Sequence, residues 1–153
     1  MKLPWWGVLG LVVGGTIAID QGIKLLFLEG FRWESQCISL ILARNKGVAF
    51  SLFHQWSFIL KLILPLLIGV FIYFFHKEGF LKRYPIATGL LLGGGISNLL
   101  DRYLRGEVID YVYWHCGFNF AIFNLADVCI DLGVGLLLLQ LFYRSWKLKK
   151  LKQ

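Results

Sequence analysis

Four long apolar runs govern what this chain can become: residues about 4 to 25, 56 to 76, 85 to 103 and 124 to 143. Each has about the 20 residues a helix needs to cross the hydrocarbon of a bilayer. Only 16% of the 153 residues are charged and 58% are hydrophobic, whereas a soluble domain carries about a quarter charged residues. No stretch outside the runs is long enough for a soluble domain, so residues 1–153 are expected to form a single all-α membrane domain with four transmembrane helices. The opening, MKLPWWGVLGLVVGGTIAID, resembles a signal peptide in its basic residue and apolar run. The run is too long and too aromatic, and it ends in Asp20-Gln21 rather than in small residues, so it reads as a retained helix. Pro65 inside the second run marks a kink that neighbouring helices tolerate.

The net charge of +7 points to lipid once it is located. Arg144, Lys147, Lys149, Lys150 and Lys152 crowd the tail, and Lys77, Lys82 and Arg83 share one short connection. Such clusters suit anionic lipid at a cytoplasmic face and argue against nucleic acid. Four spans put both termini on one side, together with Lys2. The other side carries only Arg32, Arg44, Lys46, Arg102 and Arg105. The positive-inside bias therefore places both termini in the cytoplasm and the connections at roughly 26 to 55 and 104 to 123 outside. Trp5, Trp6, Trp56 and Trp146 fall near span ends, as an aromatic belt would.

In the first outer connection, CISLILARN and VAFSLF read as two strands turning on Asn45-Lys46-Gly47, a small extracytoplasmic β-sheet. The second holds YVYWHCGFNFAIF, an aromatic segment suited to dip into the interface or to cover a site. Cys37 and Cys116 lie on the same outer side, so a bridge is conceivable, though their spacing does not demand one. Cys129 sits in an apolar run and reads as packing.

Polar residues inside such spans are functional hypotheses by default, because inserting them costs a few kcal/mol. All five aspartates lie in or beside the runs, and Asp20, Asp101, Asp110 and Asp127 gather near the outer end from four separate pieces of chain. Each also has a plainer reading. Asp20 and Lys24, at i and i+4, form an ion pair. Asn98, Asp101 and Arg102 share one helical face, and Asp101 and Arg102 also read as a helix end at the water surface. Asn124-Leu125-Ala126-Asp127 reads as an N-cap with an acid at N3. Asp131, one turn deeper than Asp127, reads as a buried partner of the site or a hydrogen-bonded packing residue. Gly93, Gly94 and Gly95 allow close helix contact.

The histidines show no metal-ligand spacing and no HExxH occurs, so no metal is expected. Ser51, Ser57 and Ser97 have no base at a suggestive spacing. Two close carboxylates are the better chemical resource. They share a proton at neutral pH, so one can draw a proton from water while the other polarises a carbonyl. Acids spread through bilayer depth would instead suit a small proton-coupled carrier or accessory subunit. A purely structural subunit would tolerate their replacement.

Four blocks in order, DQGIK at 20 to 24, NKGVAFSLF at 45 to 53, GGGISNLLDRYLRGEVIDY at 93 to 111 and FNLADVCI at 123 to 130, resemble the bacterial lipoprotein signal peptidase family (signal peptidase II), membrane aspartic peptidases. The resemblance covers nearly the whole chain. It implies that Asp110 and Asp127 are the catalytic pair. It further implies that Asn98 and Arg102 hold the substrate's backbone or lipid-bearing region. Asn45 and Asn124 join that substrate-binding set and support the site by hydrogen bonds. Asp101 becomes an orienting acid, and Asp20 and Lys24 a structural block near the active end. The chain departs from the family pattern in Gly95, Ser97, Tyr111 and Asp131. The implied substrate is a prolipoprotein already carrying a diacylglyceryl group, cut just before the lipidated cysteine, with no cofactor. The implied setting is the bacterial cytoplasmic (inner) membrane, with a monomer in contact with membrane lipid and a site near the outer leaflet.

Overall fold

In a computed structural model, residues 3–47 and 57–151 are described, with the side chains of 57 and 58 left aside. The elements run α1 Trp5–Leu28, β1 Trp33–Glu34, β2 Ile38–Asn45, α2 Ser57–Lys77, α3 Phe80–Arg83, α4 Pro85–Leu104, β3 Val108–Trp114 and α5 Leu125–Lys150. The protein is mostly helical with one small sheet. Three helices, α1, α2 and α5, are long and apolar enough to cross a membrane. The fourth expected span, α4, has 20 residues but mixes its apolar positions with glycines, Thr88, Ser97, Asn98, Asp101 and Arg102. The last helix continues past the expected end near residue 143 to Lys150, because nothing in RSWKLKK breaks a helix and its cations suit the negative C-terminal end.

The helices are arranged inside out relative to a water-soluble protein. Leu62, Leu66, Leu67, Leu138, Leu139 and Phe142 are exposed, while Asp20, Lys24, Thr88, Ser97, Asp101 and Asn124 are completely buried. A bilayer rewards this arrangement, since apolar side chains can face lipid but polar groups need partners. α4 is the central element and packs most extensively on α5 and α1. Its start is set by Pro85, whose missing N–H is no loss at a helix opening. Its close approach depends on glycine: a Cβ at Gly93 would meet Thr16 Cβ of α1 at 2.7 Å, and one at Gly94 would collide with the Ala126 carbonyl oxygen of α5.

The sheet has the order β1-β2-β3, antiparallel throughout. β2 matches the first expected strand, while the second, residues 48–53, lies outside the described residues. The partner the sequence reading missed is β3, from the second connection. Its register runs from Ile38↔Trp114 to Asn45↔Val108, with a bulge between Leu40 and Ala43. A Cys37–Cys116 disulfide closes the far end of this pair, so the bridge that spacing left open is present. Cys129 is free and buried, as packing requires. After Gly117, where φ is +81°, the chain returns along β3, and Phe123 and Val112 exchange backbone hydrogen bonds. That return delivers Asn124 and the opening of α5 beside Asp110.

Candidate active site

Asp110 was expected in a loop. It stands on β3, where the alternating β-branched and aromatic residues of VIDYVYW suit a strand. The first four residues of that strand are buried, and Asp110 is 3% exposed. One carboxyl oxygen accepts Asn45 Nδ2 at 3.0 Å and the other accepts Asn124 Nδ2 at 2.7 Å. Asn45 is itself fixed by a bend, its Oδ1 accepting the Gly47 N–H at 3.0 Å.

Asp127 sits at N3 of α5 in a capping box: Asn124 Oδ1 accepts the Asp127 N–H at 2.9 Å, and Asp127 Oδ2 accepts the Asn124 N–H at 3.1 Å. The sequence reading of this stretch as a helix cap therefore holds, and the cap is also part of the site. The other two orphan N–H groups of the first turn are taken as well. Leu125 donates to the Tyr111 hydroxyl at 2.9 Å and Ala126 to Asp20 Oδ1 at 3.0 Å. Four side chains, Asp20 of α1, Tyr111 of β3 and Asn124 and Asp127 at the start of α5, thus lock this helix opening. Asp127 Oδ1 receives Asn98 Nδ2 at 2.7 Å.

Asn124 joins the two acids. Besides capping α5 and bonding Asp110, its Nδ2 group reaches Asn98 Oδ1 at 3.0 Å and the Ile109 carbonyl at 3.2 Å. Both carboxyls are therefore oriented by neutral amides, and among the described residues neither takes an ion pair.

Behind them lies a second polar layer. Lys24 Nζ is 2.7 Å from Asp20, 2.8 Å from Asp101 and 3.0 Å from Asn98 Oδ1. These three acceptors match the three ammonium donors. Asp20 also receives Ser97 Oγ at 2.6 Å, and Asp101 receives Gln21 at 2.9 Å, Arg105 and the Ile109 N–H at 3.1 Å. Asp101 does not end a helix in water. It is fully buried, because Lys24 and Arg105 converge on it. Gln21, Arg105 and the Tyr111 hydroxyl were not singled out from sequence. Gln21 sits inside the DQGIK block, and its position next to Asp20 was the available signal.

Asp110 and Asp127 line one cavity of about 750 Å³, together with Asn45, Asn98 and Arg102. Arg102 donates to the carbonyls of Asn98 at 3.1 Å and Gly47 at 3.0 Å, and its buried Nε has no partner among the described residues. The rest of the wall is mostly apolar, with Leu60 and Leu64 of α2 on one side and Phe120 to Phe123 on another. Asp131 was expected to be buried or hydrogen-bonded. It is exposed on the cavity wall with no hydrogen bond or ion pair to a described residue, because its turn of α5 faces the open space.

Burial is the largest influence on Asp110 and pushes its carboxyl up from 3.8 to about 6. The nearby Asp127 charge adds to this, while the bonds from Asn45 and Asn124 and the Lys24 charge oppose it. Burial also pushes the Tyr111 hydroxyl up, which keeps it neutral as a hydrogen-bonding group. Among the described residues, no group of three or more His, Cys, Asp or Glu is placed to hold a metal ion.

A carboxyl pair bridged by one residue, Asn124, at the wall of a cavity, in a protein of apolar helices, is compatible with a membrane aspartic peptidase. The comparisons agree: residues 12–143 match the family described as signal peptidase (SPase) II, and the chain belongs to that family. It is 48% identical over 151 residues to the lipoprotein signal peptidase of Helicobacter pylori, covering 98% of this chain and 94% of that one. It is also 48% identical over 146 residues to that of Wolinella succinogenes, covering 95% and 99%. A solved bacterial membrane enzyme, determined by the in meso method at 2.3 Å resolution, superposes with a TM-score of 0.81 at 25% identity, covering 94% of this chain and 93% of that one.

Proposed function

We propose that this chain removes the signal peptide from diacylglyceryl-modified prolipoproteins, cutting before the lipidated cysteine, with Asp110 and Asp127 as the catalytic pair. The carrying observation is that both acids face one cavity and, among the described residues, are held only by amides with no cation paired to either. Close carboxyls in this state share a proton. The ionised member takes a proton from a water molecule, whose oxygen attacks the scissile carbonyl carbon. The protonated member gives its proton to the carbonyl oxygen. As the tetrahedral intermediate collapses, one of its hydroxyls returns a proton to the acid that protonated the carbonyl, the C–N bond breaks, and the leaving nitrogen takes up the proton captured from water, which restores the singly protonated pair. Arg102 Nε, which has no partner among the described residues, and the second Nδ2 hydrogens of Asn45 and Asn98 are the donors that would hold the substrate backbone. A proton-coupled carrier would need acids distributed through depth, and family membership also counts against it.

The same reading treats α4 as the fourth span, since its lower apolarity is explained by its central, lipid-shielded position. It treats residues 1–153 as one domain in the bacterial inner membrane, monomeric and surrounded by lipid. Both termini face the cytoplasm with the cationic end of α5. The sheet and the 104–123 connection lie outside, covering a site near the outer leaflet.

The test is cleavage of a lipidated prolipoprotein by purified protein in detergent. Asp110→Asn and Asp127→Asn should each lower kcat by about 10³-fold or more, within the span of general acid–base contributions. Turnover near that of the unaltered protein in either variant would overturn the assignment.

A further inference from the structure

Gln140 interrupts the apolar run LLLLQLF of α5, and nothing in the proposed chemistry uses it. A polar group inside such a run needs a partner. Among the described residues the protein supplies none: the Gln140 amide oxygen is buried without a hydrogen bond, and the amide nitrogen donates to no described residue. Gln140 lines a pocket of about 390 Å³ between the start of α4 and the end of α5, together with Tyr84, Arg144, Lys147 and Leu151. Gln140, Arg144, Lys147 and Leu151 follow one another at helical spacing and form one stripe on α5. Tyr84, at the N-cap of α4, stands on the other side. Its ring packs with Ala87 and Leu137, while its hydroxyl has no partner among the described residues. Arg144 and Lys147 are exposed and take no ion pair among the described residues.

Depth decides what can fill this pocket. Arg144 and Lys147 lie 17 and 20 residues beyond Asp127 on the same helix. That places them about 26 and 30 Å along its axis from Asp127, and the hydrocarbon of a bilayer is about 30 Å thick. With the catalytic pair near one membrane surface, the two cations reach the phosphate layer of the other. Gln140 lies one turn short of Arg144, about 6 Å nearer the bilayer centre. The ester groups of a glycerophospholipid lie at that level, beneath its phosphate. A soluble anion has no group to offer there. A zwitterionic headgroup brings its own cation against Arg144 and Lys147, so charge favours an anionic one. Only the choice of leaflet follows from the topology proposed above. The pocket itself does not depend on the peptidase reading.

We propose that this pocket binds one anionic glycerophospholipid of the inner leaflet: Arg144 and Lys147 hold its phosphate, and the Gln140 amide nitrogen and the Tyr84 hydroxyl donate to its ester carbonyls. The lipid then bridges the opening of α4 and the end of α5. A ligand that binds only the folded protein stabilises it.

The experiment titrates the full chain, in a neutral detergent, with phosphatidylglycerol or with phosphatidylcholine of identical acyl chains. Retained lipid is counted by native mass spectrometry, and Tm is read alongside. Phosphatidylglycerol should bind saturably as a single molecule, about fivefold or more tighter than phosphatidylcholine, and should raise Tm. Arg144→Gln with Lys147→Gln should weaken it about tenfold or more. Lys149→Gln with Lys150→Gln removes the same charge from the same helix end but outside the pocket lining, and should weaken it less than about threefold. Gln140→Leu should weaken it about threefold or more with the charge unchanged. Equal losses in the two double variants would mean diffuse attraction to a cationic tail and would overturn the proposal. Equal affinity for the two lipids, or displacement of phosphatidylglycerol by an equal concentration of inorganic phosphate, would overturn it too. These last two comparisons use the unaltered protein, so they decide even should a variant fail to accumulate. Cleavage of a lipidated prolipoprotein tests the peptidase reading separately.

Discussion

Two layers of acids lie side by side in this protein and differ in how they are held. In the rear layer, Asp20 and Asp101 contact Lys24 directly, Arg105 closes on Asp101, and all three side chains of the Lys24 cluster are fully buried. In the front layer, the hydrogen-bond partners of Asp110 and Asp127 among the described residues are the amides of Asn45, Asn98 and Asn124 and the opening of α5, and both acids face the cavity. A cation fixes a carboxylate's charge and removes its freedom to exchange protons. A neutral amide orients the carboxyl and leaves that freedom in place. The rear layer is therefore suited to hold helices together, and the front layer to do chemistry. Asn98 and Asn124 connect the two, since Asn98 Oδ1 accepts from both Lys24 and Asn124.

The largest effect that would sharpen this contrast is expected from Lys24→Met. It strands two buried carboxylates, and breaking such a pair costs about 3–5 kcal/mol. A marked fall in Tm in detergent should follow, and an unchanged Tm would break the contrast. Asn124→Ala should come next. It removes the α5 cap, worth about 1–2 kcal/mol, and frees Asp110 from its 2.7 Å bond, so kcat should fall more than KM rises.

The pH profile probes the front layer alone. Asp110, raised to about 6, holds a proton below that pH and loses it above. If the pair needs one shared proton, kcat/KM should decline as pH rises through that region. The Asn45 bond favours the ionised form, so Asn45→Ala should raise the Asp110 pKa further and move the declining limb to higher pH by about half a unit to one unit. A limb that stays in place would separate Asp110 from the rate. The smallest effect is expected from Tyr111→Phe, which removes the hydroxyl from the Leu125 N–H and keeps the stack on Phe27, 4.5 Å between ring centres. A loss of about 1 kcal/mol in stability is expected, read as a small Tm shift.

The membrane character and the polar residues of the site were legible because bilayer insertion makes acids in apolar runs conspicuous. Asp20, Asp101 and Asp127 stood out on that ground alone, and the ion pair at Lys24 followed from helical spacing. The capping role of Asn124 was visible from its distance to Asp127. The path of β3 was not. YVYWHCGFNFAIF is aromatic enough for an interface and alternates enough for a strand, and only its long-range partner Ile38–Asn45 decides between them. Asp110 was consequently assigned to a loop. The bond from Gln21 to Asp101, and the open position of Asp131, depend on which face of α1 and of α5 meets a neighbour. Local sequence does not specify that.

The division between the layers is tested most directly by comparing Asp127→Asn with Asp101→Asn in one detergent, measuring single-turnover cleavage per folded molecule alongside Tm. Asp127→Asn should fold with nearly unchanged Tm and lose cleavage by about 10³-fold or more, whereas Asp101→Asn should lower Tm and retain measurable cleavage. Near-normal cleavage by Asp127→Asn, with Asp101→Asn inactive though stably folded, would contradict the account.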